Sequence, residues 1–124
     1  MNDLVDEILK GSFDLNVHSS PDSVGMTRFD AMDTGRAAYE AEMFGFVLKS
    51  DYYPTTSIAS AVSRIYPGLT VLGSITLNRA VGGFNPDAVQ AAADMGTKVA
   101  WMSSINPQER SGDLPDSPRT IISD

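Results

Sequence analysis

His18 is the sole imidazole of the chain. It closes the run SFDLNVH (12–18), in which Asp14, Asn16 and His18 are spaced by two. In an extended strand that spacing projects all three from one face, where two side chains can share one metal ion. An imidazole serves as a metal ligand or, near neutral pH, as a proton carrier; on its own it is as readily a structural residue. Asp14 suits two roles equally: a carboxylate that supports a neighbouring ligand, or one bonded to nearby backbone amides.

Polar groups recur wherever an apolar run stops. His18-Ser19-Ser20-Pro21-Asp22 follows the first run, Lys49-Ser50-Asp51-Tyr52-Tyr53 the second, Asn78-Arg79 the third and Ser103-Ser104 the fourth. Asp51 is a competent hard ligand or proton acceptor. Lys49 reads either as a contact for an anionic substrate or as half of a structural ion pair. Arg79 has the planar fork that clamps a carboxylate or phosphate, and is as well suited to a surface ion pair. Tyr52 can line a pocket mouth or pack beneath its loop. The loop 78–86 contains Gly82-Gly83, but neither G-x-G-x-x-G nor G-K-[ST] occurs, so no nucleotide fingerprint is present.

The elements that must position these groups alternate. Phe13, Leu15 and Val17 alternate with polar residues as a strand does. Asp30 predicts a helix cap, with Ala37, Ala41 and Phe44 on one face and Gly45 as the left-handed terminator. Residues 45–50 read as a buried strand. Pro54 precedes a helix whose stripe is Ile58, Ala61, Val62 and Ile65, stopped by Pro67-Gly68. A third strand is expected over 69–78, and Asn85-Pro86 predicts a helix with Ala88, Val89, Ala92 and Ala93 on one face, ending at Gly96. Residues 98–104 supply a fourth strand, with Trp101 in the core. Residues 105–124 read as a loop or irregular tail in which Ile121 and Ile122 could start a fifth strand.

A βαβαβαβ order predicts an α/β fold with parallel strands and right-handed crossovers, whose site lies at the carboxyl ends of the strands. Two closures compete: a doubly wound open sheet and part of a (β/α)₈ TIM-type barrel. A complete barrel takes about 250 residues, roughly twice this chain.

With 124 residues the chain (1–124) makes a single domain, and 42% hydrophobic content places it among globular sequences. Nine Lys and Arg against 16 Asp and Glu leave a net charge of -7, which excludes the broad basic surface that nucleic acid requires. The chain has 0 Cys, which rules out disulfides and thiolate zinc and suits a cytoplasmic setting. MNDLVDEILK is too acidic for a signal peptide, and no apolar run is long enough for a membrane span.

FDLNVHSSPDSV, GFVLKSDYYPT, LGSITLNRAVGGFNPDAV and KVAWMSS, taken in order over 11–104, resemble the opening half of a family of amidohydrolase-like metal-dependent hydrolases. Members tend to read D-L-H-V-H-S-S-P-D on the first strand and V-L-K-S-H on the second. The resemblance implies a (β/α)₈ barrel and a divalent metal at its carboxyl rim, with a small-molecule substrate. On this chain the metal set becomes His18, Asp51 and Asn16, the catalytic carboxylates Asp51 and Asp14, and the substrate contacts Lys49, Arg79 and Tyr52. Two departures matter: Asn16 stands where the first histidine belongs, and Asp51 where the second strand's histidine belongs. Both shift the donor set from nitrogen to oxygen, favouring Mg²⁺ or Mn²⁺ over Zn²⁺ if any cation binds, or they abolish the site.

The expected function is therefore metal-dependent hydrolysis, impaired by lost histidines and by the half-barrel length. An inactive barrel fragment serving binding or assembly is the alternative, and a receiver-like phospho-acceptor domain a weaker third, since Asn78-Arg79 stands where its acceptor Asp belongs. Four strands alone would leave two sheet edges unpaired, which predicts a homodimer or higher oligomer, or else a marginal, aggregation-prone monomer.

Overall fold

The computed structural model describes residues 3–22 and 28–104. Helix α1 (Asp3–Leu9) leads into strand β1 (Phe13–Val17), α2 (Ala31–Glu40), β2 (Gly45–Leu48), α3 (Thr56–Ile65), β3 (Thr70–Thr76), a short 3₁₀ turn (Arg79–Val81), α4 (Pro86–Asp94) and β4 (Val99–Trp101). The four strands lie in the order β1-β2-β3-β4, all neighbours parallel, in a sheet curled like half a barrel. A doubly wound sheet reverses strand order at a switch point, and a receiver-like domain has one between its first and third strands. Sequential order with no reversal brings all four strand ends to one rim in chain order. The tail that carries Ile121 and Ile122 lies outside the described residues.

Local signals set most boundaries. The Asp30 carboxylate accepts from the Asp33 amide at 2.8 Å and the Asp33 carboxylate accepts from the Asp30 amide, a reciprocal box at the start of α2. The Asn85 side chain accepts from the Ala88 amide ahead of Pro86, as the Asn-Pro pair predicts.

The helix faces differ from those predicted. α2 buries Ala31, Gly35 and Ala38 and leaves Ala37 and Phe44 exposed; α3 buries Thr56, Ala59 and Val62 and leaves Ala61 and Ile65 exposed. The reason is close packing on small residues. A Cβ on Gly35 would run into the Val62 side chain, and one on Gly73 would run into Thr56, so the elements meet where side chains are smallest. In α4 only Ala92 is fully buried, with Ala88 and Val89 packed beside it and Ala93 exposed. Gly45 does not end α2. That helix stops at Glu40, Glu42 takes the left-handed turn with φ 55°, and Gly45 opens β2.

The main core joins the helix-facing side of β2 and β3 (Phe46, Leu48, Val71) to Ala31, Ala38, Ala59 and Val62. A second cluster holds Ile75, Leu77 and Ala92 under α4. β2 is buried along its whole length, as a strand covered on both faces should be. Trp101, expected in the core, is only half-buried on β4, beside an exposed Ala100. α1, which sequence reading left without structure, is a helix with Leu4, Val5 and Ile8 exposed.

Candidate functional site

The residues that follow each strand converge at the carboxyl rim. β2 ends in Lys49, whose ammonium lies 3.1 Å from Asp51 Oδ1 and 5.4 Å from the centre of the Trp101 ring on β4. Ser104, beyond β4, donates its hydroxyl to the same Asp51 oxygen at 3.0 Å. Asn78, beyond β3 and nearly fully buried, ties the group together. Its amide nitrogen donates to the Asp51 carbonyl (3.1 Å) and to Ser104 Oγ (2.8 Å); its amide oxygen accepts from the Ser104 N–H (2.9 Å) and from Ser103 Oγ (3.1 Å). One side chain thus spans three strand ends.

His18, beyond β1, completes the rim. Its Nδ1 lies 3.9 Å from Asp22 Oδ2, a carboxylate almost wholly shielded from solvent. Its charge also acts on Asp51. The loop after β1 is tied to that after β2 by the Tyr53 hydroxyl, which donates to the Pro21 carbonyl at 2.7 Å. Burial, together with the nearby Asp22 carboxylate, raises the Tyr53 pKa and keeps that phenol protonated. Beneath the rim, buried hydroxyls stitch β2 to β3: Ser74 Oγ and Thr55 Oγ1 donate to the Leu48 carbonyl, and Thr76 Oγ1 to the Ser50 carbonyl.

Of the site residues inferred from sequence, the structure gathers His18, Lys49 and Asp51. Tyr52 stands on the same rim, half-buried, its amide donating to Ser50 Oγ; Arg79 opens the exposed 3₁₀ turn. Asp14 and Asn16 are exposed on β1, where the Asp14 carboxylate accepts from the Asn16 amide at 3.0 Å. The common face expected of Asp14, Asn16 and His18 is broken by a slip in register. Asp14 pairs with Phe46 but Val17 pairs with Leu48, so three steps along β1 match two along β2. Asp14 therefore sides with the helix-facing Phe46 and Val17 with the helix-facing Leu48, so His18, one residue on, turns to the opposite face.

Sequence reading placed Asn78, Ser103, Ser104 and Asp22 at strand ends without giving them roles. For Asn78 the missing signal is long-range: no local motif announces a side chain whose partners lie about 26 residues away on each side. For Asp22 a local signal existed, its spacing of four from the sole histidine.

Partial burial acts to raise the Asp51 pKa, but the hydrogen bonds from Lys49 and Ser104, with the charges of Lys49 and His18, outweigh it and hold the carboxyl below its usual range. The sign of the linkage follows. A depressed folded-state pKa contributes stability above the unfolded value of about 3.9 that is lost as pH falls through the folded value. With about a third of the side chain exposed, the contribution is modest. Asp51→Asn should therefore cost stability at pH 7, and the gap to the parent should narrow below about pH 4 in urea titrations.

The residues present do not make an adequate metal site. Lys49 puts an ammonium on the Asp51 oxygen a cation would use, Asn16 contributes no ionised donor, and among the described residues no group of three His, Asp or Glu converges to hold an ion. The rim is instead rich in donors. The Trp101 indole Nε1 is buried with no hydrogen-bond partner among the described residues, on the ring that packs against Lys49.

No helix of the described residues is long and apolar enough to cross a membrane. No curated protein and no solved structure matches the chain. A family model does match residues 11–118, which contain every strand, α2 to α4 and the whole rim. The chain is a member of that family, described as a family of unknown function (DUF6282).

Proposed function

We propose that this chain is a half-barrel of the amidohydrolase-like, TIM-type lineage whose metal-dependent hydrolase site is impaired, and that its carboxyl rim now binds a small molecule bearing a carboxylate or similar acceptor. The observation that carries the reading is the Lys49–Asp51 contact at 3.1 Å. With Asp51 in place of the relatives' histidine, the Lys49 ammonium is drawn onto the oxygen that a divalent ion would need. The donors around it, Lys49 Nζ and the Trp101 Nε1–H, which has no partner among the described residues, suit an anionic acceptor. Asp51 and the Asn78–Ser104 network then serve as positioning groups that hold Lys49 against the indole face.

The test is a titration of the purified chain with Zn²⁺, Mn²⁺ and Mg²⁺ by calorimetry, with His18→Ala, Asp51→Ala and Lys49→Ala in parallel. The parent should take up no stoichiometric metal. Lys49→Ala, which frees the Asp51 carboxylate, should bind divalent cations more tightly than the parent. One equivalent of metal on the parent, lost in both His18→Ala and Asp51→Ala, would instead restore the intact hydrolase reading.

A further inference from the structure

Both outer strands of the sheet differ from the inner pair. β2 is buried throughout and β3 over most of its length, whereas Asp14, Leu15 and Asn16 on β1 and Ala100 on β4 are exposed. Leu15 is 66% exposed and Met102, just beyond β4, 69%. Among the described residues no strand pairs with the outer edge of β1 or of β4. Two edges with no partner among the described residues, of five and three residues, run in the same direction, bear exposed apolar side chains and no proline, and are templates for further pairing.

The register says which pairing fits. Val99 on β4 pairs with Ser74; the residue before Ser74, Gly73, pairs with Leu48, and Leu48 with Val17. Val99 therefore stands level with residue 18 of its own chain, so β4 begins about five residues higher than β1 does. A closed barrel of eight strands and shear eight climbs about four residues over half its circuit. The strands thus rise by about the amount that lets four of them be half of a closed barrel. Four strands repeated by a two-fold axis along the barrel give eight, with every neighbour parallel.

We propose that two copies of this chain close one eight-stranded parallel barrel, β4 of each copy pairing with β1 of the other. Shifting Val99 down by four levels sets it against the start of β1 in the second copy, to within the one-residue slip in that strand. Trp101 then lies near residue 16, and Ser103 near His18 of the second copy. The charges at the foot of the seam are complementary: among the described residues, exposed Lys98 is in no ion pair and the carboxylate of exposed Asp14 accepts from the Asn16 amide alone. Each rim would then take its histidine side from the other copy as well as its own, so the ligand site belongs to the assembly. The inference rests on strand register alone and stands or falls separately from the metal titration.

With 0 Cys in the chain, engineered cysteines report without background. Asp14→Cys and Ala100→Cys, which this register sets level with each other and on the same helix-facing side, are made as separate variants, mixed and oxidised, and the mass of the parent is measured by light scattering after gel filtration. Adjacent strands lie about 4.8 Å apart, within reach of a disulfide. The parent should have twice the 13.3 kDa of one chain, and the mixture should cross-link in preference to either variant alone. A single-chain mass at every concentration overturns the proposal. So does a two-chain mass whose mixture gives no 14-to-100 link.

Discussion

Gly45→Ala is expected to destabilise the chain by about 3 kcal/mol, at the upper end of the usual cost of overpacking. Gly45 is the first residue of β2 and pairs with Thr70 on β3. A Cβ built on it would overlap the Thr70 carbonyl oxygen, with the carbonyl carbon 2.8 Å away. The obstacle is backbone inside a parallel ladder, so it cannot rotate aside as a side-chain tip can. Relief requires β2 and β3 to separate where Thr70 donates its amide to the Phe44 carbonyl at 3.0 Å. A domain of this size holds about 5–15 kcal/mol in total, so the variant should show a urea midpoint reduced by a large fraction. Gly96→Ala separates close approach from backbone strain. Gly96 has φ 97° with open space around its Cβ position, so alanine there costs strain of about 1–2 kcal/mol and no overlap. If Gly45→Ala is no worse than Gly96→Ala, the two strands are not packed as closely as described.

The contrast between these glycines shows what the chain discloses by reading and what it withholds. Gly96 follows the apolar stripe of α4 and ends that helix, as turn chemistry predicts. Gly45 invites the same interpretation after α2, yet it lies in a strand, and its lack of a side chain answers to Thr70, 25 positions later. The helix faces follow the same logic. A stripe drawn through the larger apolar residues selects Ala37 and Phe44 on α2, but the buried line runs through Ala31, Gly35 and Ala38 because Val62 and Tyr66 come so close to Gly35. Size complementarity between distant elements decides that face, and no window along one helix contains it.

The site divides in the same way. The convergence of His18, Lys49 and Asp51 follows from strand alternation and parallel order, which put all strand ends on one rim. The separation of Asp14 from His18 does not, because one slipped residue in β1 reverses a face and period-two spacing carries no sign of it. Nor does spacing reveal that Lys49 would be held by Asp51, itself bonded by Ser104, and by the Trp101 ring. That arrangement gives the rim its donor character, and it depends on one buried amide to keep three strand ends in register.

Asn78→Ala should accordingly cost about 2–4 kcal/mol, more than its volume alone explains. Asn78 is 3% exposed and makes four side-chain hydrogen bonds, two as donor and two as acceptor. Truncation removes all four and leaves the Ser104 N–H, the Ser103 hydroxyl and the Asp51 carbonyl without their partner in a shielded place. Asn78→Asp is the sharper probe, since it keeps the shape and changes the chemistry. A carboxylate can still accept from Ser103 and Ser104 but cannot donate to the Asp51 carbonyl, and it sets a second negative charge near Asp51. Burial and like charge raise the pKa of the introduced acid, so its destabilisation should be largest at pH 7 and shrink as the pH falls and the acid regains a proton to donate. The direction is the same as for Asp51→Asn and the cause differs: there the parent loses an ion pair as acid is added, whereas here the variant recovers a hydrogen bond. Urea titrations of Asn78→Ala and Asn78→Asp at pH 7 and pH 5 distinguish the cases. The alanine variant should keep a nearly constant deficit between the two, while the aspartate variant closes part of its gap. A constant deficit for both would mean that residue 78 fills space at the rim without bridging Asp51 and Ser104.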